Sequence, residues 1–455
     1  MSLAATLSLW PSRFPGRIAT LMWLMLFWAL AVGMVKWSIG LPVRTLVLML
    51  ALGWIALAFR LPWHWLFRDN PLLKVLLALG LWGFVLSLFQ SAAVLDAAMV
   101  WLRWFLQPAM IFLFSILCCR IVGPRWVAGV FIGVILVSAA VAVLQGLEFG
   151  FAWGLTQTLE NIQGLQRQAV MLAQRAAGEG FDDSFRARGI SYSPIHLGYQ
   201  AALVVAMIYL AKMHKPVLLP VANIIVWAVG VLLLCALVFS GTRSSLFGVI
   251  LLLPLHMLCF SRYRVASITV VTLGILLAPA LFFWASSVLD LRVLSISDSS
   301  FAARFPLALL GLKLFVDNPF GYGWLISANS LADGYWHDLY RIKNADAVVY
   351  LGIHNHLVSF LFTYGVPGAL LGLWCLRECY RRYGLVLLVA LAPYGFHALF
   401  HNDGIFLGGN YIWVLLGWVH YHYLTRPKAE ARSQSTSQLS QFTALESEEK
   451  APFAN

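Results

Sequence analysis

Charged side chains are what this sequence has least of. Asp, Glu, Lys and Arg make up 11% of its 455 residues, against about a quarter in a soluble domain. With 61% hydrophobic residues and a mean hydropathy of +0.81, a soluble protein of this length is excluded. Acidic residues are the scarcer sign, 19 against 31 basic. In a soluble chain the net charge of +12 would point to nucleic acid. Here the basic residues fall between apolar runs, where they set membrane orientation, so no nucleic-acid partner is expected. Cysteine is sparse as well. Cys118, Cys119, Cys235, Cys259, Cys375 and Cys379 lie in apolar runs or at their expected cytoplasmic ends, which supports neither a disulfide framework nor a C-x-x-C metal site. No A-x-A-like cleavage site follows the first apolar run, Ile18 to Val35, so it reads as a membrane span rather than a signal peptide.

What is present is one apolar run after another. At about 20 residues per span, twelve segments emerge, near 18–35, 45–59, 73–92, 98–118, 126–146, 194–211, 216–239, 244–260, 265–285, 355–375, 383–400 and 405–425. The expected fold is an all-α polytopic membrane protein, one domain over residues 1–425 with about twelve transmembrane helices, and membrane lipids are its first expected partner. A cytoplasmic N-terminus puts Arg13, Arg17, Arg60, Arg68, Lys74, Arg120, Arg125, Lys212, Lys215, Arg262, Arg264, Arg377, Arg381 and Arg382 inside. Only Lys36, Arg44 and Arg243 fall in the short outer connections, so the positive-inside rule fixes the topology. Residues 426–455, rich in Ser, Gln, Glu and Ala, read as a disordered cytoplasmic tail.

Two segments break the short-loop pattern, 147–193 and 286–353, and both fall on the outer side. Loops this long are functional or disordered, and neither is low-complexity. In the first, Leu155, Leu159, Ile162, Leu165, Ala169 and Leu172 recur at helical spacing opposite a Gln-rich face, which predicts an amphipathic helix. In the second, a similar period over Ala302 to Val316 stops at Asp317-Asn318-Pro319, and Gly321-Tyr322-Gly323 marks a turn. These loops are expected to fold and to roof a site.

Four polar clusters face that side: Arg186-Ala187-Arg188-Gly189 ahead of Pro194, Ser240-Gly241-Thr242-Arg243-Ser244-Ser245, His354-Asn355-His356, and His397, His401, Asn402 and Asp403. A boundary arginine is ordinarily a snorkelling anchor. Arg243 departs from that, because the outer side is otherwise poor in short-loop basic residues. Gly241 and Thr242 also give it a tight turn with backbone N–H groups near a helix start, which suits an oxyanion or phosphate. Arg186 and Arg188 precede another helix start, and two such sites framing one cavity suit a pyrophosphate. A boundary histidine is more often interfacial than catalytic. His354 faces the arginines, has Asn355 beside it to fix a neighbour's orientation, and with an ordinary pKa of about 6.5 is the natural general base for a hydroxyl. Arg103, costly within the fourth span, stands with Asn355 and His401 as a supporting or acceptor-side residue. Trp324, Tyr335, Trp336 and Tyr340 can stack on sugars or form an interfacial aromatic belt. His337, Asp338, His354 and His356 match no metal-ligand spacing, and no metal is expected.

His354-Asn355, followed after nine residues by Gly365 and two further on by Gly368, resembles the motif of the O-antigen ligases of Gram-negative bacteria. The twelve-span architecture, the Ser-Gly-Thr-Arg turn and the Arg186, Gly189, Pro194 element are similar to that family too. The resemblance covers roughly residues 180 to 375. It implies transfer of a polysaccharide from an undecaprenyl pyrophosphate carrier to the lipid A–core acceptor, on the periplasmic face and without metal or other cofactor. Carried over, Arg186 and Arg243 hold the pyrophosphate, with Arg188 competing for the first role because the stretch reads Arg-Ala-Arg-Gly. His354 deprotonates the acceptor hydroxyl for inverting attack. Where the family commonly has Asn after the proline, Ile195 and His196 follow Pro194. A polymerase using a growing glycan as acceptor and a protein-glycosylating ligase remain open. So does a lipid-linked sugar transporter, which would set its charges near the bilayer midplane rather than at outer boundaries.

Overall fold

The computed structural model describes residues 16–35, 47–52, 70–91, 93–162, 186–214, 223–261, 263, 265–274, 276–277, 303–401, 404–406 and 410–425, and among them there is no strand. The main helices are α1 (Gly16–Val35), α2 (Pro71–Ser91), α3 (Val94–Ile121), α4 (Pro124–Gly146), α5 (Gly150–Ile162), α6 (Pro194–His214), α7 (Asn223–Ser240), α8 (Arg243–Phe260), α9 (Val265–Gly274), α10 (Arg304–Asp317), α11 (His356–Tyr383), α12 (Leu385–Ala398) and α13 (Tyr411–Thr425). Among the described residues, seven helices are long and apolar enough to cross a membrane: α2, α3, α4, α6, α7, α8 and α11. In hydrocarbon every backbone polar group must be satisfied within the chain, which is why apolar runs of this length form helices. The amphipathic stretch of the first loop is helical as α5 up to Ile162; Leu165, Ala169 and Leu172 lie outside the described residues, as do Asn402, Asp403 and the tail after Thr425.

Helix starts follow local chemistry. Asn70 precedes Pro71 and accepts the Leu73 N–H (3.3 Å). Ser193 precedes Pro194 and accepts the His196 N–H (3.2 Å). Each pairs a polar cap with a proline whose missing N–H would have gone unbonded anyway.

The centre of the bundle is α13, buried from Tyr411 to Tyr421 and packed on α3. Trp413 meets Phe112 edge-on at 6.0 Å, Ser115 donates to the Val414 carbonyl (2.9 Å), and Gly417 lets the two helices close against the Phe112 carbonyl. By contrast α7 and α8 expose Ile224, Trp227, Ile250 and Leu253, as helices facing lipid do. α3 runs through a π-helical turn at Leu102–Leu106.

The segment from α10 to Ile353 forms a roof with a core of its own, in which Leu307, Leu310, Leu314, Leu339 and Val348 pack on Val358 and Phe362 of α11. α10 ends at Asp317 with Asn318 as its C-cap. The next residues lie against a break in α11. Gly365 sits inside that helix with φ +62°, and Pro367 offers no N–H to Thr363, four residues back. The roof satisfies the groups set free. Tyr322 N–H donates to Phe362 O (2.9 Å), Gly323 N–H to Thr363 O (3.0 Å), and Val366 N–H to Pro319 O (2.7 Å). Trp82 Nε1 donates to Tyr364 O (2.9 Å). The two glycines of the sequence motif thus frame a broken helix that the roof stitches closed.

Candidate functional site

Arg186, Ala187, Arg188 and Gly189 lead towards α6 along a path set by buried polar contacts. Ala187 is fully buried and its N–H donates to Phe239 O (3.2 Å). The carboxamide of Gln145, 1% exposed, accepts from the N–H groups of Arg188 (3.0 Å) and Gly189 (2.9 Å) and donates to Thr156 of α5 (2.6 Å). Gly189 has φ +61°, and a Cβ there would meet the Ser138 carbonyl. Replacing Gln145 with Leu leaves the buried Gly189 N–H and the part-buried Arg188 N–H without this acceptor, the buried one costing about 1–3 kcal/mol. The expected result is a lowered thermal midpoint and lost activity in the same variant, whereas unchanged melting would show that the carboxamide does not hold this loop.

Arg186 reaches the α7–α8 turn. Its Nε donates to Ser240 O (2.8 Å) and its Nη2 meets the Thr242 hydroxyl (3.5 Å), which in turn donates to Pro194 O (3.1 Å). The turn itself is tighter than its sequence implies. Gly241 takes φ +62°, Thr242 N–H goes to Ser240 Oγ (3.3 Å) and Arg243 N–H to Gly241 O (3.2 Å). Two N–H groups that the sequence offers to an anion therefore close the turn instead. Arg243 opens α8. The next two residues, Ser244 and Ser245, place their hydroxyls 3.1 and 2.7 Å from Nδ1 of His397 on α12.

His397 is fully buried and stacks on His401 with ring centroids 4.4 Å apart. Burial first, then His397, Arg304, His354 and Arg186, hold the His401 imidazole well below the usual histidine range. Those groups come from α12, from the start of α10 and from the chain ahead of α11 and of α6, so widely separated segments converge on one ring. The Arg304 guanidinium lies 5.8 Å over the ring of Phe400.

His354 is half-buried, with Nδ1 2.6 Å from Gly352 O. A carbonyl only accepts, so Nδ1 carries the proton and the neutral ring keeps its lone pair on Nε2. The sequence reading assigned orientation of a neighbour to Asn355, yet its Oδ1 accepts the Val358 N–H (3.0 Å) as the N-cap of α11. It is the Gly352 carbonyl that orients His354. His356 packs its ring on Gly404.

The remaining candidates have other surroundings. Arg103 is exposed in the π-helical turn of α3, whose Phe105 stacks on Trp324 at 5.2 Å. Trp324 also donates to the Tyr364 hydroxyl (3.2 Å), a packing role rather than an open sugar platform. Tyr335 bonds Asp317, and Trp336 and Tyr340 are exposed. Asp338 pairs with Lys313 (2.7 Å). Among the described residues no cluster of three His, Cys, Asp or Glu is placed to hold a metal.

Sequence reasoning missed Arg304 and Gln145. For Arg304 the signal was slight, a basic residue at the start of an apolar helix. Gln145 closes an apolar span and reads as nothing more.

No curated protein matches this chain. A family model described as O-antigen ligase matches residues 228–373, a segment that holds Arg243, Arg304, His354, Gly365 and Gly368. The match covers less than half of the chain, and what it shows is that this segment is similar to the O-antigen ligase family.

Proposed function

We propose that this protein is an O-antigen ligase of the bacterial inner membrane. It transfers a polysaccharide from undecaprenyl pyrophosphate to the lipid A–core on the periplasmic face. The observation that carries the reading is the meeting of Arg186, Arg304 and His354 around His401, with Arg243 on the adjoining turn. Cations with planar donor forks suit a pyrophosphate, and the lone pair on His354 Nε2 suits removal of a hydroxyl proton.

Nε2 takes the proton of the acceptor hydroxyl as its oxygen attacks the anomeric carbon from the face opposite the carrier. The bond from that carbon to the pyrophosphate oxygen breaks with inversion, and the electron pair leaves on the pyrophosphate. Charge develops on that oxygen where the arginines stand, so they stabilise the transition state more than the bound donor. Arg243→Lys keeps the charge and loses the fork, and a loss of about a hundredfold in transfer is expected.

The test is the electrophoretic profile of lipopolysaccharide from cells lacking the protein, complemented with wild type or Arg243→Lys. The reading expects core alone, with polymer held on the carrier lipid, in the deletion and near that state in the variant. Core bearing a single repeat would identify a polymerase. An unchanged ladder would remove lipopolysaccharide from the reading.

A further inference from the structure

His401 is buried to 3% exposure, and its Nδ1 meets no hydrogen-bond partner among the described residues. An orphaned ring nitrogen in such a place costs stability unless something else fills the bond. The ring is stacked on His397, which Ser244 and Ser245 contact in turn. The charged and titratable groups that bear on it are His397 from its own helix end, Arg304 from α10, His354 from before α11 and Arg186 from before α6. Asp403, two residues on, lies outside the described residues.

We infer that His401 is a binding residue for the anionic leaving group: a neutral imidazole that donates its Nδ1–H to a pyrophosphate oxygen held by Arg186 and Arg304. This rests on the pyrophosphate reading above and goes beyond it, because the sequence placed His401 on the acceptor side or in a supporting role. A neutral donor has a use among cations. It adds a directed bond without adding to the mutual repulsion of Arg186 and Arg304, and it is displaced from no partner when the anion arrives. Its neutrality follows from its surroundings, since burial and four neighbours of positive or potentially positive charge all oppose protonation.

Because the ring also stacks on His397, a packing role must be separated from a binding role, and two substitutions do so. His401→Asn puts an amide N–H close to the position of Nδ1 and gives up the stack. His401→Phe keeps the stack and gives up both nitrogens. With inorganic pyrophosphate titrated calorimetrically into the purified full-length protein in detergent, His401→Asn is expected to bind within about threefold of wild type, and His401→Phe at least about tenfold more weakly. Wild-type affinity in His401→Phe overturns the inference whatever the asparagine variant does. Should the phenylalanine variant not fold, His401→Leu, which also lacks both nitrogens, carries the same comparison. Arg304→Ala separates the two levels of the argument. If it and wild type bind pyrophosphate equally, or neither binds, the pyrophosphate reading itself falls. Loss in Arg304→Ala with full binding in His401→Phe removes His401 alone.

Discussion

His354→Ala is expected to lower the proposed glycosyl transfer by about three orders of magnitude and to leave the thermal midpoint of the purified protein at the wild-type value. The reason lies in how the residue is held. It is half-buried and has one hydrogen bond of described geometry, from Nδ1 to Gly352 O. Little packing is lost with the ring, but the lone pair on Nε2 disappears. Asn355 supplies the contrast from the adjacent position. Its side chain caps α11, so Asn355→Ala is expected to cost about 1 kcal/mol of stability and to keep the base. Transfer from a purified lipid-linked donor, measured beside thermal melting, distinguishes the pair. Near-normal turnover in His354→Ala would mean that another group takes the proton.

The second large effect is expected at Gly365. Its φ of +62° disfavours any side chain by about 1–2 kcal/mol, and that is the smaller part. A Cβ on Gly365 would run into the backbone of Pro319 and Phe320. Backbone cannot rotate aside as a side chain can, so the bond from Val366 N–H to Pro319 O would have to open. Gly365→Ala is therefore expected to lose more than about 4 kcal/mol, with activity lost alongside. Gly384, which ends α11, provides a control. It has φ +75°, but a Cβ there meets nothing within 4 Å, so Gly384→Ala reports the conformational cost alone. Equal drops in melting temperature for the two alanine variants would show that the close contact with the roof carries no weight.

The helices were readable because lipid-facing and core-facing residues are both apolar, and run length alone marks them. The cap-and-proline starts at Asn70–Pro71 and Ser193–Pro194 were equally visible. His354 and Gly365 stood out because polar and helix-breaking residues are rare in such a chain. Arg304 did not, since a single arginine ahead of an apolar helix also serves as an anchor; only the convergence of separate segments distinguishes it. Gln145 was illegible for a related reason, because one polar residue at the end of a span carries no sign of the backbone it will bond. The pairing of Asn355 with a helix cap rather than with its neighbour depends on where the helix begins, a boundary that hydrophobic periodicity leaves open by several residues.

The break at Gly365 also divides the ownership of the site. Val358 and Phe362, in the turns of α11 above the break, belong to the core of the roof, and Arg304 opens a roof helix. Arg186, Arg243, His397 and His401 are carried by the spanning bundle. The proposed leaving-group ligands are therefore divided by a seam, Arg304 on the roof side and Arg186, Arg243 and His401 on the bundle side, each side with a hydrophobic core to keep it intact. A change at the seam milder than Gly365→Ala would put the two sets of groups out of alignment without unfolding either core, and the expected result is a protein that accumulates in the membrane and transfers nothing.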